Sequence, residues 1–179
     1  MISLRIADSK KDIKNIHKLY KSAFPRCERK PFNLLLTWAK QGKSTHYIVE
    51  DEEKNFYGFM LTINNGDLIL LDFFAILPKF RGQRIGSKAL KLFMNIYAKK
   101  RIVLEVEDTS CNKAKNILTR IKRKAFYIKN GLSVMNYKVS LFKCPMEILT
   151  NNTKVDFDEY KSILTSVLFY KAQKNVKLL

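Results

Sequence analysis

Two glycines, Gly82 and Gly86, stand among Arg81, Gln83, Arg84, Ile85 and Ser87 in the run LILLDFFAILPKFRGQRIGSKALKL, residues 68–92. A nearly continuous apolar stretch precedes them and is closed by Pro78, and an amphipathic helical pattern follows them. This order predicts a buried strand, a tight turn and a helix start. The first-turn amides of a helix lack intrahelical partners, and the helix dipole favours negative charge beside them. Gly82 and Gly86 let a phosphate approach the backbone, while Arg81 and Arg84 bring positive charge. The chemistry this spacing suits is the binding of a diphosphate.

Other phosphate loops have different spacings. A GxxxxGK[ST] loop needs its glycines one residue further apart than Gly82 and Gly86, and the dinucleotide fingerprint GxGxxG is absent. The segment Arg81-Gly82-Gln83-Arg84-Ile85-Gly86-Ser87 instead resembles motif A of the GNAT superfamily of acyl-CoA N-acetyltransferases, written (Q/R)xxGx(G/A). It departs from that motif at one position, where Arg84 replaces the first glycine. The resemblance implies acetyl-CoA as co-substrate, with its diphosphate on residues 81–87. It also implies that pantetheine amides pair with the backbone of Phe74, Ala75, Ile76 and Leu77 on the fourth strand. The side chains of that strand are expected in the core.

Acyl transfer from a thioester to an amine requires a held thioester, a deprotonated amine and a neutralised thiolate. The segment Ala125-Phe126-Tyr127-Ile128-Lys129-Asn130-Gly131-Leu132 resembles the FYxxxGF ending of the family's fourth helix, whose tyrosine often gives a proton to the leaving sulfur. Tyr127 is therefore the expected acid, and a phenol with a pKa of about 10 is roughly matched to an alkyl thiol. Arg120, Lys122, Arg123 and Lys124 on the same helix could meet phosphates, and most of them are expected to face water. Carboxylates supply the candidate bases. Glu105 and Glu107 project from one face of a strand, and Asp72 interrupts an apolar one. A buried carboxylate needs a partner, which a strand edge or a lysine would provide for Asp72. Glu105 is the expected base, acting through water, although several family members use none. His17 and His46 read as surface or core residues. In the family the segment between the first two helices, here 24–32, helps form the acceptor pocket, and Glu28 could either orient an ammonium there or pair with Arg29 or Lys30. An amine-bearing small molecule or a peptide is the implied acceptor, of unspecified identity.

The elements that must position these residues follow from periodicity. A short strand at 4–6 leads to a helix opened by Ser9 and Asp12 in a capping-box pattern, with Ile13, Ile16, Leu19 and Tyr20 on one side. A second helix is expected at 33–40 with Gly42 as its stop, then strands at 45–50 and 57–63. Asn64-Asn65-Gly66-Asp67 is a hairpin turn into the strand at Leu68. A strand at 101–107, a helix from Lys113 to about Lys129 capped by Gly131, strands at 134–142 and 147–149, and a helix opened by Asp156 and Glu159 complete the chain. The order resembles the GNAT fold over residues 2–149. That fold is an α/β (α+β) arrangement with a mixed, mostly antiparallel sheet splayed between strands 4 and 5 and flanked by helices. A helical extension at about 156–175 is additional.

Composition sets the outer bounds. The 179 residues, 46% hydrophobic, suit one domain spanning 1–179, with no linker-like segment. The longest apolar run is too short to span a bilayer, and the start of the chain lacks a secretory pattern, so a cytoplasmic protein without a membrane partner is expected. Cys27, Cys111 and Cys144 show no CxxC pairing and read as reduced thiols, and no metal-ligand spacing is present. A homodimer is left open. The net charge of +18 attracts polyanions, whether nucleic acid, an acidic membrane or a phosphate-rich co-substrate. Most of this excess is lysine spread along the whole chain, and no nucleic-acid-binding signature accompanies it. The leading expectation is an acetyl-CoA-dependent N-acetyltransferase acting by direct transfer in a ternary complex. The alternatives are a basic nucleic-acid-binding protein and a GNAT-fold acyl-CoA binder without transferase activity.

Overall fold

Ser9 caps the first helix by accepting from Asp12 N–H while the Asp12 carboxylate accepts from Ser9 N–H, the reciprocal box the sequence contains. The computed structural model describes residues 1–26, 28–110 and 114–179. The chain falls into two compact units, one comprising 1–64 and 71–96 and the other 65–70 and 97–179.

The first unit contains β1 (Ile2–Ile6), α1 (Lys10–Ala23), α2 (Phe32–Lys40), β2 (His46–Asp51) and most of β3 (Phe56–Asn65) and β4 (Leu68–Ile76). A 3-10 turn at Pro78–Phe80 and α3 (Ile85–Ile96) complete it. Strands β1, β2 and β3 pair antiparallel in sequence order, with an irregularity at Val49/Glu50. Ile16, Leu19 and Tyr20 of α1, Leu35 and Trp38 of α2, and Ala89, Leu90 and Phe93 of α3 are buried, as are Phe59, Met60 and Leu61 of β3. Arg5 of β1 bridges two buried acids, donating to both carboxylate oxygens of Asp12 and both of Glu50.

The second unit starts with the hairpin turn, where Gly66 at φ 63° reverses the chain into β4. It continues with β5 (Arg101–Glu107), α4 (Ile117–Lys129), β6 (Ser133–Leu141), β7 (Cys144–Thr150), α5 (Phe157–Leu168), α6 (Tyr170–Asn175) and β8 (Val176–Leu178). The β4–β5 ladder is parallel and joins Leu68, Ile69 and Leu70 to Arg101, Ile102 and Val103. The other ladders of this unit, β5–β7, β7–β6 and β6–β8, are antiparallel. The strand order is β1-β2-β3-β4-β5-β7-β6-β8, so the expected mixed, mostly antiparallel sheet flanked by helices is present.

Strand β7 starts three residues before the expected 147, β1 two residues before the expected 4, and the larger differences lie in the helices and at the end of the chain. Helix α4 begins at Ile117, with Asn116 at the N-cap position but its Oδ1 accepting from Arg120 Nε at 2.8 Å instead of from a first-turn amide, and Lys113 lies outside the described residues together with Cys27, Cys111 and Asn112. The C-terminal extension is broken at Phe169, whose φ of 45° ends α5 and starts the short α6. Strand β8 then pairs with β6, an element with no period-2 signal long enough to read.

Candidate functional site

In the first unit, β4 runs through Leu77 and the 3-10 turn into the loop 81–84 and then α3. Two residues of that loop have left-handed backbone, Gly82 at φ 79° and Arg84 at φ 60°. Arg84 therefore adopts the conformation for which a glycine would serve, although it carries a Cβ. Its carbonyl accepts from Lys88 N–H at 3.0 Å, the first intrahelical bond, so the amides of Ile85, Gly86 and Ser87 form the first turn of α3. Nothing lies within 4 Å of where a Cβ at Gly82 would stand. The loop thus has the open approach and the helix start that a diphosphate needs.

The loop is tied to the strand that feeds it. Arg81 Nε donates to Ile76 C=O at 3.0 Å, and Gln83 Nε2 donates to Lys79 C=O at 3.1 Å. Leu77 N–H donates to Tyr57 C=O of β3 at 2.8 Å. Leu77 C=O in turn accepts from Phe80 N–H at 2.9 Å, so at least three backbone groups in the expected pantetheine stretch 74–77 are committed within the protein. Phe73, Ala75 and Ile76 are buried, as core packing requires.

Asp72, the carboxylate that breaks the apolar run of β4, has a lysine partner. Lys30 Nζ of the α1–α2 connection donates to Asp72 Oδ1, and the same ammonium sits 4.9 Å from the centre of the Phe73 ring. Asp72 Oδ2 is buried and has no hydrogen-bond partner among the described residues. The Lys30 backbone is clamped by Tyr20 Oη, which accepts from Lys30 N–H at 2.8 Å and donates to Lys30 C=O at 3.1 Å. Tyr20, Phe24 and Phe73 pack edge to face or tilted around this point. His17 stacks on Phe32, and His46 is buried in β2.

In the second unit, Tyr127 is the third residue from the end of α4. Its carbonyl accepts from Leu132 N–H and the Ile128 carbonyl accepts from Gly131 N–H, with Gly131 at φ 91°, which makes a Schellman motif. The Tyr127 phenol is pushed up to about 12 by burial, with the Arg123 guanidinium pulling the other way. Glu105 of β5 accepts a 2.7 Å hydrogen bond on Oε1 from Tyr160 of α5, a fully buried phenol. The basic residues of α4 do not simply face water. Arg120 and Arg123 hold Glu107, at 2.9 and 3.1 Å, and Lys124 holds Glu147 at 2.7 Å. The sequence reading missed these pairs because their partners lie on other elements.

The family model for the Acetyltransferase (GNAT) family matches residues 13–118, over half of the chain. The chain belongs to the GNAT acetyltransferase family. Solved structures share its fold. A GNAT-family protein from Bacteroides thetaiotaomicron is 19% identical, with a TM-score of 0.74 over 93% of this chain and 98% of that one. A spermidine N-acetyltransferase from Vibrio cholerae, solved with CoA and spermine, is 18% identical, with a TM-score of 0.59 over 83% and 94% of the two chains. An aminoglycoside 6'-N-acetyltransferase, solved with coenzyme A, is 14% identical, with a TM-score of 0.64 over 87% and 99%. No curated protein sequence matches this one. Among the described residues, no helix is long and apolar enough to cross a membrane.

Proposed function

We propose that this GNAT family member is an acetyl-CoA-dependent N-acetyltransferase working by direct transfer to a primary amine in a ternary complex. The observation that carries the reading is the loop 81–84. Its left-handed residues Gly82 and Arg84 turn the end of β4 into α3, so the amides of Ile85, Gly86 and Ser87 open that helix. Arg81, Gly82, Gln83, Arg84, Ile85, Gly86 and Ser87 are the proposed diphosphate cradle, with the backbone of residues 74–77 beside the pantetheine arm. The CoA-bound acetyltransferases of the same fold support this assignment.

In the reaction, the amine nitrogen attacks the thioester carbonyl, the carbon–sulfur bond breaks, and the amine loses a proton. Tyr127 is the proposed donor to the leaving sulfur. Because burial holds its phenol at about 12, full transfer to a thiolate of pKa about 8.5 is uphill by about 5 kcal/mol. Its contribution is accordingly a hydrogen bond that strengthens as charge develops on sulfur. Glu105 is the proposed acceptor of the amine proton, through water, with its carboxylate oriented by Tyr160.

A thermal-shift titration with acetyl-CoA, with ATP and a short DNA duplex as polyanion controls at two salt concentrations, tests the reading. At a hundredfold excess over Kd the ligand should stabilise by about 2.7 kcal/mol. For a chain of this length that is roughly 5–10 °C. A salt-tolerant shift with acetyl-CoA alone supports the assignment. Shifts with DNA alone, lost at higher salt, would make the +18 charge the functional feature instead.

A further inference from the structure

Most buried side-chain polar atoms have at least one hydrogen-bond partner, and Asp72 Oδ2 has none among the described residues. The Asp72 side chain is only 3% exposed, and Oδ1 accepts from Lys30 Nζ. The ammonium on Oδ1 also lies over the face of Phe73. A carboxylate joined to an aromatic face is a site for an ammonium group. Here the ammonium belongs to the chain itself, and it arrives on a side chain that can leave. Lys30 is 18% exposed, while its main chain is fixed on both sides by Tyr20 Oη. Rotation of the lysine stem alone would carry Nζ toward water while Tyr20 Oη keeps the Lys30 main chain in place. Arg29, the neighbour in that connection, has a buried Nε without a partner, but a donor cannot receive an ammonium. Asp72 is the acceptor of one.

We propose that Asp72 is the specificity-determining residue for the amine acceptor, binding an ammonium group of a cationic amine in the place that Lys30 Nζ holds in the free protein. This deepens the acetyltransferase reading and rests on it. The class of acceptor is an amine carrying a second positive charge, since an ammonium held at Asp72 is protonated and a separate amine must be the nucleophile. Lys30 acts as an internal competitor. It keeps the carboxylate paired when no acceptor is bound, and it rejects amines too weakly charged to displace it.

Isothermal titration of the free protein with unbranched diamines, from 1,3-diaminopropane to 1,8-diaminooctane, tests this, with butylamine as the singly charged control. Lys30→Met keeps the stem and removes the competitor, so it should bind the best diamine about tenfold tighter than the native chain. The same diamine should raise the Tm of Lys30→Met more than that of the native protein. Asp72→Asn should abolish the preference of diamine over butylamine, with or without Lys30. Equal diamine affinity in native, Lys30→Met and Asp72→Asn proteins overturns the proposal, as does a native protein that binds butylamine as well as any diamine. Should Asp72→Asn fail to fold, the Lys30→Met comparison decides alone. Acetyl-CoA binding is measured separately on each protein. Its loss from the native chain would count against the acetyltransferase reading, and a diamine failure beside intact acetyl-CoA binding counts only against Asp72.

Discussion

Gly58 lies directly against the carbonyl of Ala75: a Cβ added there would stand 2.2 Å from that oxygen and 2.8 Å from Ile76 Cδ1. The first contact is with backbone, so no side-chain rotation can relieve it. Glycine at position 58 therefore sets how closely β3 can approach the end of β4 that leads to the loop 81–84. Gly58→Ala should destabilise the protein by about 1–3 kcal/mol, the usual cost of forcing extra atoms into a packed site. Urea denaturation measures the stability, and acetyl-CoA titration of the folded fraction should show weakened affinity. An unchanged midpoint would mean that the strands separate at little cost.

Arg84 is a non-glycine residue at φ 60°. Left-handed backbone costs an L-residue about 1–2 kcal/mol, and glycine escapes that cost while losing about 0.5–1 kcal/mol through its freer unfolded chain. Arg84→Gly should thus be more stable than Arg84→Ala by about 1 kcal/mol, as read by thermal or chemical denaturation. Both lose the guanidinium, so a difference between their acetyl-CoA affinities would report the backbone alone.

Tyr127→Phe removes one hydroxyl from a buried ring and leaves the Schellman end of α4 intact. Turnover should fall about 10- to 100-fold while acetyl-CoA affinity stays within about twofold. Equal turnover would remove Tyr127 from the mechanism.

His46 is 4% exposed, neither ring nitrogen has a partner among the described residues, and burial holds its pKa down at about 4 against an ordinary 6.5. The unfolded chain takes up the proton first. Stability from the neutral ring is complete above about pH 6.5 and is lost as pH falls from there to about 4, in total about 3 kcal/mol. Asp12 and Glu50 behave differently. Their hydrogen bonds from Arg5 lower both pKa values, so their contribution is complete above the ordinary carboxylate range and is lost as pH falls through that range and below it. Denaturation midpoints between pH 7.5 and about 5, above the carboxylate range, should therefore decline in the native protein and stay nearly flat in His46→Leu. A matching decline in the variant would assign the slope elsewhere.

Local rules made much of this molecule legible in its sequence. The capping boxes at Ser9 and Asp156, the hairpin at 64–67 and the end of α4 at Gly131 depend on residues a few positions apart, and each is where its neighbours dictate. The loop 81–87 was legible for the same reason, down to the departure at Arg84, although not its left-handed φ. What the sequence could not show are pairs fixed by tertiary packing. Lys30 and Asp72 are 42 positions apart, and Glu105 and Tyr160 are 55 apart. A lysine and an aspartate so far apart carry no mutual signal in a chain with 34 basic residues. The break at Phe169 was hidden because the apolar periodicity of α5 continues to its edge.

The bond from Arg81 to the Ile76 carbonyl bears on kinetics. A loop already fastened to its strand meets its ligand without a prior ordering step, so association should proceed at a rate set by collision and charge. In a chain as basic as this one, added salt would slow arrival of a polyphosphate more than it hastens departure. The lifetime of the complex would then depend on the short-range contacts of the loop, and its speed of formation on the lysines spread over the whole surface.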